Sequence, residues 1–378
     1  MRATGLEEVL PRVAEIVADV RARGDEALRE WTERLDGPVA ELRVPPERLR
    51  SARLGEDVLD AVCAMAAAVR AFVEPQRPPD TSVEAVPGVR GERRWLPLSS
   101  VGIYVPGGRA AYPSSLVMAA VPAQAAGVER IVVASPRPSD ATLATAAALG
   151  LDEVYAVGGA QAVAALAHGT ETVPRVDKIV GPGNRWVTAA KLLVSSSCAI
   201  DLPAGPSEVV LVADATASAE RCAADLRAQA EHGADSEAVL LSLDPALSEA
   251  VRSIVGEVGN MAVHDVASLD EALAWAEDYA PEHLELWVAD ADEVARRVRN
   301  AGTVFVRTSA AVGDYAAGAT HVLPTGGLAR GSGGLGLETF LKPVQLVAAD
   351  DLAAARRIGL PLARAEGFAA HAAALELA

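Results

Sequence analysis

Short β-branched runs alternate with Ala-rich segments of helical length through the middle of this chain, and that alternation most narrows its fold. Ile131-Val132-Val133, Val154-Tyr155-Ala156-Val157 and Lys178-Ile179-Val180 have the length and composition of buried strands. Between them lie Ala-rich stretches of about a dozen residues, long enough to cross back and start the next strand in the same direction. Parallel βαβ units follow from that order. A second series has strands predicted near Val209 to Ala213, Val239 to Leu243, Leu284 to Val288 and Thr303 to Val306, with helices between them. Two open α/β sheets account for both series.

The ends of the chain read differently. From Val13 to Leu35 apolar positions recur at helical spacing, and Asp36-Gly37-Pro38 supplies a stop. A second helix is predicted from about Glu56 to Val73, ahead of the Pro-rich stretch Pro75 to Pro79 and the turn-rich Pro87 to Glu92. Thr325 to Gly336 is Gly-rich and reads as a loop, and the tail from Ala349 to Leu377 turns helical again.

Composition excludes several functions. A net charge of −17 with no basic block disfavours nucleic acid, whose binding depends on clustered Lys and Arg. A small-molecule partner is the better expectation. Cys63, Cys198 and Cys222 are far apart and form no C-x-x-C pair, which fits neither a disulfide framework nor a thiolate zinc site and agrees with a reducing cytoplasm. The first residues carry no basic patch followed by an apolar core, and no run reaches the roughly 18 apolar residues of a membrane span. The expectation is a cytoplasmic protein, neither secreted nor embedded in a membrane.

Several stretches could carry chemistry. Gly158-Gly-Ala-Gln161 and Gly181-Pro-Gly-Asn184 each follow a predicted strand and precede a helix, where an open α/β sheet binds ligands, and Tyr104-Val-Pro-Gly-Gly108 is similar in kind. None is the G-x-G-x-x-G fingerprint, so tight turns that need glycine explain them as well. Gln229 and His232 stand three apart near the end of a helix predicted from about Ser218 to His232, and could clamp an ion or simply be solvated. Glu282-His283 leads into a predicted strand, an acid and an imidazole suited to stepwise proton transfer. Asp314, Glu366 and His371 are mute in isolation.

Together these stretches are not mute. Asp201-Leu-Pro-Ala-Gly-Pro-Ser-Glu208, Gln229-Ala-Glu-His232-Gly, Ala280-Pro-Glu-His-Leu-Glu-Leu286, Gly313-Asp-Tyr, His321-Val-Leu-Pro-Thr325 and Glu366-x4-His371 occur in this order alongside the three glycine stretches. The set resembles the histidinol dehydrogenase family, over nearly the whole chain from about Val20. The resemblance implies oxidation of L-histidinol to L-histidine through L-histidinal with two NAD+ and one zinc ion. It implies zinc ligands at Gln229, His232, Asp314 and His371, a general base at His283, and at Glu282 a base that activates water. Ser207, His321 and Glu366 match substrate-contacting positions, as the zinc ligands and His283 also do, and Tyr104, Gln161 and Asn184 match cofactor positions.

The resemblance further implies a homodimer whose tail histidine reaches the partner's metal site. It implies two open, doubly wound, Rossmann-like sheets with small helical extensions. The domains expected are 1–102 with 209–335, an inserted α/β domain at 103–208, and a C-terminal tail at 336–378. This chain departs from the family in a shorter start and in trimmed stretches between Asp244 and Ala276 and between Val306 and Val312. Thr320 and Asp278 also stand where the family usually has Asn, and none of these departures removes a proposed ligand or base. A paralogous zinc- and NAD-linked dehydrogenase of another small polar alcohol is the nearest rival, ahead of a zinc hydrolase and a non-enzymatic relative.

Overall fold

Ser100–Tyr104 is the central strand of the first sheet, whose five parallel strands run Val154–Tyr155, Arg130–Ala134, Ser100–Tyr104, Lys178–Val180 and Ala199–Ile200 across its width. The second sheet repeats the plan with Met261–Asp265, Glu237–Ser242, Glu208–Ala213, His283–Trp287 and Thr303–Val306. In each, the chain builds outward on one side of its first strand, then crosses back to build the other side. That reversal leaves a crevice at the ends of the strands. The expectation of two open α/β sheets is met in this computed structural model. It describes residues 5–107, 112–256 and 258–377, so Gly108 of the Tyr104 stretch and the extreme ends of the expected domains lie outside the described residues.

The first sheet is buried on both faces, as an all-parallel sheet requires. Val101, Ile103, Val133 and Val180 pack with Leu116 and Met118 on one side, while Val132 and Ile179 pack with Val163, Leu166 and Val187 on the other. The N-terminal helices cover the second of these faces. Helix Leu6–Arg23 buries Val9, Val13, Ile16 and Val20 at helical spacing and lies against the helices Arg185–Val194 and Gly159–His168. These helices thus pack with the sheet built from residues 100–200, whereas the sequence reading groups them with 209–335. The single helix expected from Val13 to Leu35 is two, broken at Gly24, whose φ of 59° and ψ of −132° interrupt the helical path.

A third sheet was not foreseen. Thr81–Val86, Val89–Pro97 and Leu341–Ala349 form an antiparallel ribbon in register from Leu341 opposite Pro97 to Ala349 opposite Val89. Beyond Leu341 every residue of its last strand is exposed, and its central strand carries Arg90, Glu92, Arg93 and Arg94, so no alternation of apolar residues announces it. The chain then ends in the helices Ala353–Ala365 and Ala369–Leu377, packed on each other with Ile358, Leu362, Phe368 and Leu377 exposed. Among the described residues no helix is long and apolar enough to cross a membrane.

Candidate active site

Strand His283–Trp287 lies between Glu208–Ala213 and Thr303–Val306, parallel to both, so the residues that open these strands meet at one edge of the sheet. Glu282 and His283 stand at that amino-terminal edge. Ala280 ends the preceding helix in a left-handed conformation, φ 52°, and turns the chain straight into Pro281 and Glu282. The period of two along the strand sends His283 and Glu285 to one face and Leu284 and Leu286 into the core on the other.

Glu282 is buried, and its Oε2 accepts hydrogen bonds from Ser207 Oγ at 2.6 Å and from the backbone N–H of Glu208 at 2.9 Å. Burial pushes its carboxyl up to about 7, against the downward pull of those two bonds. His283 is also buried, and burial holds its imidazole below the ordinary value, hence neutral at pH 7. Neither ring nitrogen makes a well-formed hydrogen bond, the Glu208 backbone being the nearest partner, and Nδ1 stands 3.7 Å from Glu282 Oε2. A buried polar atom without a well-formed bond marks a place where a ligand or a proton belongs.

Gln229 and His232 do not share one helix face as the spacing predicts, because helix Ala219–Ala230 stops before His232. His232 sits exposed in the turn beyond it, with Nδ1 3.3 Å from the Gln229 carbonyl, while the Gln229 side chain is buried and its Nε2 lacks a partner. Asp314 is on helix Ala310–Tyr315, and its carbonyl lies 3.2 Å from His321 Nδ1, whose Nε2 is 3.5 Å from Ser115 Oγ. The charges of Asp314 and His232 act on Glu282, His283 and His321 alike, so these five groups form one electrostatic site.

Glu366 and His371 are not part of that cluster. Both are exposed on the tail, where the His371 ring lies against Phe368 at 5.3 Å. Among the described residues no three His, Cys, Asp or Glu side chains converge closely enough to hold a metal ion. The implied donors within one chain are two of those types, His232 and Asp314, with the amide Gln229. This N- and O-donor set, with the Gln229 amide oxygen as its third member, fits zinc when a further imidazole completes it.

A cavity of about 1050 Å³ opens between the two sheets, lined by Asn184 and Thr188 from the first and by Ser207, Glu208 and His232 from the second, with Thr325. Glu282 lies one hydrogen bond behind Ser207. Asn184 caps helix Arg185–Val194, its Oδ1 accepting from the N–H of Trp186 at 3.0 Å and of Val187 at 3.3 Å. Tyr104 and Gln161 sit together elsewhere, at the carboxyl ends of the first sheet. The Tyr104 hydroxyl accepts from the Gly159 N–H at 3.2 Å and is pushed up to about 12 by burial, and Gln161 Nε2 donates to Asp36 at 3.0 Å.

Sequence reading missed the group that shapes the Gly181 turn. Lys191 and Asp201 form a buried ion pair, and each also holds Gly181: Lys191 Nζ donates to its carbonyl at 3.1 Å and Asp201 accepts from its N–H at 2.7 Å. The scarcity of lysine in the chain was the available signal. It also missed Asp225 and Glu285, although Glu285 lies within a predicted strand and the Ala280–Leu286 motif.

Comparison with known proteins identifies the family. The family model described as histidinol dehydrogenase matches residues 1–378. The histidinol dehydrogenase of Methanosarcina barkeri is 42% identical over 99% of this chain and 93% of its own length. That of Natronomonas pharaonis is 44% identical over 98% and 94%. The crystal structure of the histidinol dehydrogenase from Elizabethkingia anophelis superposes with a TM-score of 0.91 at 32% identity, covering 98% of this chain and 92% of that one. With relatives matched along almost their whole length and the same two-sheet fold, the chain belongs to the histidinol dehydrogenase family, NAD-dependent oxidoreductases of histidine biosynthesis.

Proposed function

We propose that this protein oxidises L-histidinol to L-histidine in two successive two-electron steps, with L-histidinal held between them. The observation that carries the reading is the buried Glu282-His283 pair, its acid one hydrogen bond behind Ser207 on the cavity wall and raised, its imidazole lowered, by the same burial. Burial brings Glu282 into the range where a carboxyl exchanges protons near neutrality, and keeps His283 neutral and so able to accept one.

His283, neutral and without a well-formed hydrogen bond at its ring nitrogens, accepts the alcohol proton as the first hydride departs, and serves again in the second oxidation. Glu282, positioned by Ser207 and the Glu208 N–H, takes a proton from the water that adds to the aldehyde, which gives the hydrate needed for the second oxidation. Zinc held by Gln229, His232, Asp314 and His371 would orient the substrate's nitrogen atoms, and NAD+ would receive the hydrides. Ser207, His321 and Glu366 contact the substrate in this reading, the Glu366 carboxylate facing its cationic amine or imidazole. Tyr104, Gln161 and Asn184 serve the cofactor, with Asn184 on the cavity wall.

The tail supports a shared site. His371 and Glu366 stand exposed beside Ile358, Leu362 and Phe368, an apolar surface available to a second copy of the chain, and His371 from that copy supplies the imidazole the one-chain donor set lacks. The compartment we propose is the cytoplasm, supported by three free cysteines. NADH formed per L-histidinol consumed by the zinc-loaded protein tests the reaction. Two NADH with histidine as product are expected; one NADH with the aldehyde as final product would refute the second step.

A further inference from the structure

Behind the active-site edge, on the face of the second sheet that His283 occupies, lies a second pair of acids that the reaction does not use. Glu285 is fully buried, with the Asp225 carboxyl as its nearest charged neighbour. Burial, then the Asp225 charge, pushes Glu285 up to about 8.

The pair joins the two helices that carry Gln229 and Asp314. Asp225 is on helix Ala219–Ala230, one turn before Gln229. Glu285 is two residues along the strand from His283. Ser309 Oγ donates to Asp225 Oδ1 at 2.6 Å and the Ala310 N–H donates to Glu285 Oε1 at 2.7 Å, so both acids grip the first residues of helix Ala310–Tyr315, which carries Asp314. Trp287 Nε1 donates to the other Glu285 oxygen at 2.9 Å and fixes the carboxyl's rotation. Further along that helix Gly313 lies flat on Phe305, where an added Cβ would come within 2.5 Å of the ring. A helix of 6 residues has little stability of its own, so its place is set by these contacts.

We propose that Glu285 and Asp225 are positioning residues: through their bonds to Ser309 and Ala310 they lock the start of helix Ala310–Tyr315 to helix Ala219–Ala230 and so set Asp314 opposite Gln229 and His232. The inference rests on the zinc reading for its consequence and on the hydrogen bonds for its geometry. Two readouts separate the two: zinc affinity by chelator competition on the full-length protein, and amide exchange of the segment 309–315 in the metal-free protein.

Glu285→Leu is expected to weaken zinc binding at least tenfold and to speed exchange of the segment, while Asp225→Asn, whose amide oxygen still accepts from Ser309, stays within about twofold of the parent in both. A folded Glu285→Leu protein with parental zinc affinity and parental exchange would overturn the proposal, as would Asp225→Asn behaving like Glu285→Leu. If Glu285→Leu fails to fold, Ser309→Ala removes one hydroxyl contact and is judged by the same two readouts, with unchanged exchange counting against the lock. A parent protein that binds no zinc refutes the zinc reading, and exchange alone then decides for or against the lock.

Discussion

Ser207 Oγ donates a 2.6 Å hydrogen bond to Glu282 Oε2, joining the residue just before one central strand to the residue just before its neighbour, 75 positions later in the chain. The contact sets the charge state of the proposed water-activating base. Hydrogen bonds to a carboxylate favour its ionised form, so Ser207 and the Glu208 N–H oppose the upward push of burial.

Ser207→Ala is therefore expected to raise the Glu282 carboxyl above about 7. The sign is fixed by its role, since a base acts ionised and is lost as pH falls through its pKa. The acidic limb of the pH profile for histidinal oxidation should move upward by about one to two pH units, the equivalent of one hydrogen bond to a charged group. An unmoved limb would mean that Glu282 does not govern that step.

Glu282→Gln keeps the shape of the side chain and removes the base. Oxidation of added histidinal should slow by about 10²- to 10⁴-fold, with a smaller loss in the alcohol half-reaction measured in a single turnover. Equal losses in both half-reactions would contradict the division of labour between Glu282 and His283.

His371→Ala should retain the melting behaviour of the metal-free protein, because the residue is exposed, yet lose zinc on dialysis. Metal content measured by elemental analysis decides this, and parental content would remove His371 from the ligand set. Mixing His371→Ala with Glu282→Gln subunits adds a test of the shared site. Activity should reappear in the mixed dimer, which contains one site free of both lesions, and its absence would argue for sites built within one chain.

Lys191→Met strands the buried Asp201 carboxylate and releases the Gly181 turn. Denaturant unfolding should show a loss of about 3 to 5 kcal/mol, since removing one member of a buried ion pair leaves the other charge uncompensated. Lys191→Met with Asp201→Leu should recover part of it. A single variant as stable as the parent would show that the pair carries no structural weight.

The alternation of strand-length and helix-length segments was sufficient to read two parallel sheets, and it placed helix Glu56–Val73 and strand Thr303–Val306 at their observed limits. Both are local signals: an apolar face of helical period and a buried β-branched run appear in consecutive residues whatever they pack against. The motifs around Gln229, Glu282 and Asp314 were legible for the same reason, as continuous stretches. Tertiary structure alone decided the rest. Val89–Pro97 pairs with Leu341–Ala349 across some 250 residues and is held by backbone hydrogen bonds, which any side chains permit. The N-terminal helices chose the first sheet because its outer helices offered the matching apolar face. The proton affinities of Glu282 and Glu285 arise from burial and from partners distant in sequence, Ser207 and Asp225, so no stretch of neighbouring residues encodes them.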